Sequence, residues 1–241
     1  MTLSTLADPH CHTTASDGMV SPSALVDAAR EAGLGLIAVT DHDTMKGVDE
    51  AVRRGHEIGI EVVAGQEITT SWPAQTHVVG WFLESPVASN RSLEYTVRAI
   101  QDQGGLAIIP HPFMPTYFAS CQPRMLSRLL DGVLVDGIET MFTAPIGRRR
   151  RLELGRFYER YRDRLGSSIG ATDSHFGRYD IGRAVTEYPG RTAADFRQAV
   201  LDRTTLPRRR LTDLRPPVSM LARQQVSSLV RLPWLRITGQ L

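Results

Sequence analysis

A chain of 241 residues that is 41% apolar can bury one substantial core, and barrels of this size commonly form a single unit, so no larger assembly is required. Its formal charge of +2 argues against general nucleic-acid binding, its two cysteines show no disulfide framework, and no window approaches the roughly 18 apolar residues of a membrane span. The charge is uneven: residues 203–241 hold eight arginines and one acid, leaving 20 basic against 25 acidic side chains before them. Met1-Thr2-Leu3-Ser4 lacks a basic region followed by an apolar stretch, and a reducing cytoplasm is the expected location.

Strand-like and helix-like segments then alternate. Ser23 to Ala32 is amphipathic, with Pro22 at its start and Gly33 at its end, the asymmetry expected of a helix. Leu34 to Thr40 reads as a buried strand, Val48 to Ile58 as a helix, Ile60 to Ala64 and Val78 to Leu83 as strands, and Ser92 to Gln103 as a helix stopped by Gly104-Gly105. Leu106 to Ile109 and Val135 to Glu139 are further strands. An arginine-rich helix follows from about Arg148 to Leu165, and Ser168 to Ala171 forms another short strand. This alternation predicts parallel βα units, with no fixed-period repeat.

Six of the seven histidines fall in short clusters with acids at the ends of these segments. His10 and His12 are two residues apart, so on a strand both point to one face while Cys11 points away. Asp41 and His42 follow Leu36-Ile37-Ala38-Val39, Glu67 follows Val62-Val63-Ala64, His111 follows Ala107-Ile108-Ile109, and Asp173 follows Ile169-Gly170-Ala171. The carboxyl ends of barrel strands converge on one mouth, so this pattern predicts a metal site there. Mixed imidazole and carboxylate ligands without thiolate suit Zn²⁺, Mn²⁺ or Fe²⁺.

The motifs His10-x-His12 with Ser16-Asp17-Gly18, Thr40-Asp41-His42-Asp43, Gly65-Gln66-Glu67, His77-Val78-Val79-Gly80, His111-Pro112 and Thr172-Asp173-Ser174-His175 resemble, in order, those of the PHP (polymerase and histidinol phosphatase) family. The resemblance spans residues 7 to about 200. It implies an α/β fold, a distorted (β/α)7 barrel, and a trinuclear metal centre hydrolysing phosphate esters with a metal-activated water. Carried over residue by residue, it implies that His10, His12, Glu67 and Asp173 hold one divalent ion and that Glu67 bridges to a second held by His77 and His111. Asp17, His42 and His175 would hold the third. Glu67, Asp173 and His175 would then also carry the catalysis, with two or three ions as cofactors.

Other residues have plainer readings. Asp43 is expected to serve a turn or cap a helix, Asp41 to orient His42, and His56 to end a helix without chemistry. Cys11 is expected to be a small buried hydrophobe. The arginines of the long helix form a solvated face, although Arg148 starts one loop beyond a strand end. Arg178 and Arg183 lie just past His175, and Arg178 is the expected phosphate ligand, because a guanidinium grips phosphate with two donors.

Only 33 residues separate His77 from His111, where the branch acting on nucleotide 3′,5′-bisphosphates and RNA 5′ ends typically carries an inserted helical domain. No basic residue follows His111-Pro112 in Phe113-Met114-Pro115, which counts against a nucleotide. The motif spelling still favours a general phosphoesterase acting on a small phosphomonoester such as a nucleotide. The rivals are an exonuclease or other nucleic-acid hydrolase, a histidinol-phosphate phosphatase, and a non-catalytic metal-binding module.

Residues 1–204 are thus expected to form the barrel and 205–241 an arginine-rich extension. Within the extension, Pro207 to Pro217 should form no regular helix. Ser219 to Leu232 presents Met220, Leu221, Val226, Leu229 and Val230 at roughly helical spacing. That stripe is expected to pack against the barrel or a second subunit in a homo-oligomer, the other readings being nucleic acid and an anionic membrane.

Overall fold

A computed structural model describes residues 3–115 and 119–240; the Met1-Thr2 pair considered above for an export signal lies outside them. In chain order the elements are β1 (Ser4–Cys11), α1 (Pro22–Glu31), β2 (Leu36–Val39), α2 (Val48–Ile58), β3 (Glu61–Thr69), β4 (His77–Trp81), α3 (Leu93–Asp102), β5 (Leu106–Ile109) and α4 (Pro123–Gly132). They continue with β6 (Gly137–Met141), α5 (Gly147–Leu165), β7 (Ser167–Gly170), β8 (Ala184–Pro189), α6 (Ala193–Leu201), β9 (Leu206–Arg209), α7 (Val218–Val226) and α8 (Leu232–Thr238). The helices stop where their sequences say. Ser21 caps α1 by accepting from the Ala24 N–H ahead of Pro22, and Gly59 ends α2 with a φ of 72°.

The strands lie in one sheet in the order β7-β6-β5-β4-β3-β2-β1-β8-β9. Its first seven strands curl into a nearly closed barrel. Beside the mouth, the Ser174 N–H donates to the His10 carbonyl at 3.1 Å and the His12 N–H to the Ser174 carbonyl at 2.8 Å, joining the segment after β7 to the end of β1. Gly170 permits the approach of β7 to β8, since a Cβ there would run into the Val185 carbonyl. β1, β2 and β3 pair in parallel, as do β5, β6 and β7.

The all-parallel expectation fails at three places. β4 is antiparallel to both neighbours, β8 is antiparallel to β1, and β9 is antiparallel to β8. The reversal of β4 places His77, which heads its strand, at the same end as residues that finish the parallel strands. It also lengthens β3 beyond the expected Ala64, because Glu67 pairs with Val79 and Thr69 with His77. α4, β8, α6 and β9 were not anticipated, although Pro123 at the start of α4 and the buried Leu126, Leu129 and Leu130 carry an ordinary helix signal.

The extension begins inside the sheet, as β9, and residues 210–217 form no helix. α7, one π-helical turn at Ser227–Arg231 and α8 then follow without a break. The expected packing of the apolar stripe on the barrel is overturned within the chain. Gln224, Ser227 and Leu232 are buried, whereas Val226, Leu229, Val230, Trp234 and Ile237 are exposed. Hydrogen bonds set this helix phase: Arg236 Nε donates to Asp43 Oδ2 at 2.6 Å and its Nη2 to Thr69 Oγ1 at 2.7 Å. Among the described residues, no helix is long and apolar enough to cross a membrane.

Candidate metal centre

All nine residues implied as ligands converge at the barrel mouth. Their local settings differ: His10 is on β1 and His12 just past its end, while Glu67 lies within β3 and His77 opens β4. Asp17, His42, His111, Asp173 and His175 sit on the loops between. His111 and Asp173 are non-glycine residues with positive φ, 27° and 60°, a conformation that persists only where the surroundings enforce it. Cys11 faces the opposite way, into an apolar cluster with Leu25, Val26 and Val39, as the strand parity requires.

Glu67 is the hub. Its Oε2 lies 3.3 Å from His10 Nε2 and 3.2 Å from both His12 Nε2 and His42 Nδ1. Its Oε1 lies 2.8 Å from His77 Nδ1 and 3.0 Å from His111 Nε2. The Nε2 atoms of His10 and His12 are themselves 3.1 Å apart, with Asp173 Oδ1 3.1 Å from His12 Nε2. Three sets have ligand atoms within 4.8 Å of one another: His10, His12, Glu67 and Asp173; His12, Asp17, His42 and His175; and His42, Glu67 and His77. The first implied set appears intact and the third gains His12, whereas the set around Glu67 and His77 contains His42 and not the expected His111.

The chemistry of these atoms fits divalent cations. Glu67 Oε2, Asp173 Oδ1 and His42 Nδ1 are buried without a hydrogen-bond partner, although opposite ligand atoms approach to hydrogen-bond distance. Unsatisfied buried groups of this kind are costly, and two imidazole nitrogens facing one another cannot both donate. A cation between them satisfies both sets.

Charge accounts for the titration behaviour. At His10, burial alone would lower the pKa, but Glu67, Asp173 and Glu139 hold it well above the ordinary histidine range. His175 is raised to about 10 in the same way, against its burial, by Asp17 and Asp173. Burial opposes ionisation of Asp17 and Asp173, yet the surrounding histidines keep both well below the usual carboxylate range. His42 goes the other way, because its burial outweighs Glu67 and Asp17.

The supporting contacts depart from the sequence reading. Glu139 is buried, its Oε1 accepting from His10 Nδ1 at 2.8 Å and its Oε2 from the His111 N–H at 2.7 Å. Its signal was present, an acid closing a strand like the recognised ones, but no motif marked it. Asp41 accepts from the Thr13 N–H at 2.8 Å and from Thr13 Oγ1 at 2.7 Å, so it fixes the loop ahead of Asp17 rather than orienting His42. Asp43 sits in a turn, one of its two expected roles, and does not cap α2, whose N-cap is Gly47; its Oδ1 accepts from the Thr69 N–H at 2.7 Å. His56 is exposed in the last turn of α2.

A cavity of about 690 Å³ opens beside the centre, lined by Asp173, Phe176, Arg183, Arg209 and Arg215 among others. Arg178 lies outside it, exposed and over the Tyr179 ring, in a separate hollow beside Glu31 and Arg210. Arg183 Nη2 donates to the carbonyls of Tyr179, at 2.8 Å, and Leu214. Arg148 is exposed at the start of α5, whose neighbour Arg150 instead holds the carbonyl of Phe113 at 2.8 Å.

A nearly closed mixed barrel whose mouth gathers histidines and carboxylates defines a metal-dependent hydrolase. The chain belongs to the PHP domain family, whose model matches residues 8–183, and is a metal-dependent phosphoester hydrolase. A 5′-3′ exoribonuclease of Haemophilus influenzae is 38% identical over 102 residues, 42% of this chain and 37% of that protein. A 3′,5′-nucleoside bisphosphate phosphatase of Chromobacterium violaceum is 27% identical over 214 residues, 80% of this chain and 73% of that protein. The fold matches a two-domain protein from Bacteroides vulgatus containing a predicted PHP-like metal-dependent phosphoesterase, with a TM-score of 0.72 and 22% identity over 94% of this chain and 70% of that one.

Proposed function

We propose that the protein releases phosphate from a small phosphomonoester, a nucleotide, in a reducing cytoplasm. One observation carries this reading: Asp173 belongs both to the histidine cluster and to the arginine-lined cavity, and its side chain is 26% exposed. That cavity, at about 690 Å³, is the size of a small-molecule site, and Phe176 offers a flat face beside its arginines. α7 contributes Val218 and Leu221 to the cavity lining, and α8 is tied to Asp43 and Thr69 through Arg236.

In this reading His10, His12, Glu67 and Asp173 would hold one ion, Glu67, His77 and His111 a second, and Asp17, His42 and His175 a third. Manganese, zinc and iron suit these ligands. When bound, such ions supply positive charge to phosphoryl oxygens and acidify water. Glu139 keeps His10 Nδ1 engaged so that Nε2 faces the cluster. Arg183, Arg209 and Arg215 neutralise phosphate charge on the cavity side.

The test is phosphate release by metal-reloaded protein from a 5′-mononucleotide, a 3′,5′-nucleoside bisphosphate, a sugar phosphate, histidinol phosphate and a 5′-phosphorylated oligonucleotide. Release from a nucleotide that is lost on chelation is expected. Preference for the oligonucleotide, with salt-sensitive binding, would instead assign the protein as a nucleic-acid hydrolase.

A further inference from the structure

Asp17 turns one carboxylate oxygen toward the histidines and the other toward the C-terminal extension. Its Oδ1 lies 3.3 Å from His175 Nε2 and 3.8 Å from both His12 Nδ1 and His42 Nε2. Its Oδ2 accepts from Ser228 Oγ, and from Gln224 Nε2 at 3.4 Å. Gln224 Nε2 also donates to Ser228 Oγ at 2.8 Å, so the amide, the hydroxyl and the carboxylate form one relay in which each donor has an acceptor. Arg231 clamps the same helix by donating to the carbonyls of Ser16 and Thr14, one and three positions before Asp17 in sequence.

The burial pattern of the extension agrees. A helix carrying Val226, Leu229 and Val230 would ordinarily turn them inward, but here Gln224 and Ser227 are buried and the three apolar side chains are exposed. The inward face is committed to polar partners at the mouth. The final carboxylate torsion of an aspartate is broad, so a metal-ligating oxygen keeps its aim only if the other oxygen is held.

We infer that the C-terminal extension is part of the metal centre, with Gln224 and Ser228 as positioning residues that hold Asp17 Oδ2 and thereby keep Oδ1 directed at His12, His42 and His175. This rests on reading that cluster as a metal site.

The test is Co²⁺ titration of the metal-free, full-length protein, followed by visible absorption, which reports the ligand geometry of each ion. Wild type is compared with Asp17→Asn, the Gln224→Ala/Ser228→Ala double variant and Ser228→Thr. The double variant is expected to weaken one binding step by roughly tenfold or more, with an altered band for that ion and the other steps unchanged. Ser228→Thr, which keeps the hydroxyl, should bind as wild type does. The inference is overturned if the double variant matches wild type at every step while Asp17→Asn loses an ion, or if the double variant weakens all steps alike. Wild-type protein that binds no Co²⁺, or Asp17→Asn protein that loses none, overturns the metal reading beneath it.

Discussion

Glu139 Oε1 accepts a hydrogen bond from His10 Nδ1 at 2.8 Å, while the opposite nitrogen of the same ring, Nε2, lies 3.3 Å from Glu67 Oε2. The carboxylate therefore selects which ring nitrogen faces the cluster. Partners of this kind also raise the basicity of the ligand they orient. Glu139→Ala should lower affinity for the ion at His10 by about 10-fold to 100-fold. Glu139→Gln, which still accepts through its amide oxygen, should lose less. Equal metal affinity across wild type and both variants, read by competition with a chromogenic chelator, would remove Glu139 from the centre.

Glu67 touches five histidines through two oxygens. Glu67→Ala should therefore lower metal content by more than one equivalent, while His56→Ala, altering an exposed helix end, should leave content unchanged. Elemental analysis of the two purified variants decides between them; matching losses would disprove the bridging role.

The cavity separates the arginines. Arg209 and Arg215 share it with Asp173, and Arg178 does not. Arg215→Ala should raise KM for a phosphorylated substrate on the order of threefold to tenfold, as exposed charge contacts are worth about 1 kcal/mol, and Arg178→Ala should leave it unchanged. The reverse result in steady-state kinetics would return the phosphate contact to Arg178, where the sequence suggested it.

Both cysteines should be inert in the native protein. Burial pushes the Cys121 thiol up to about 12 and takes Cys11 well above the ordinary thiol range, so neither forms thiolate near neutrality. An aromatic disulfide reagent at about pH 8, below the usual thiol pKa of about 8.5, should label neither until denaturant is added, when both should react. Rapid labelling of Cys11 in the folded protein would contradict its role as an inert, buried side chain.

Much of this protein is determined by the sequence alone, because the relevant physics is local. Ser21-Pro22 and Gly59 mark helix ends through caps and backbone freedom within a few residues. The spacing of His10 and His12 puts both rings on one side and Cys11 on the other, since strand side chains alternate. Apolar runs closed by Asp41-His42, His111 and Asp173 announce buried strands with ligands at one end.

What only the tertiary structure decided depends on pairing between distant segments. Nothing in His77-Val78-Val79-Gly80 states its direction; antiparallel pairing with β3 and β5 does, and that turns a residue at the start of a strand into a member of the mouth. Glu139 looked like other acids until the fold set it 2.8 Å from His10, 129 positions away in sequence. The extension shows the same limit more sharply. Its apolar periodicity predicted an inward stripe, but the competing hydrogen bonds from Gln224, Ser228, Arg231 and Arg236 depend on acceptors near residues 14–17, 43 and 69. Helix periodicity says which residues share a face, and only the partner surface determines which face is turned inward.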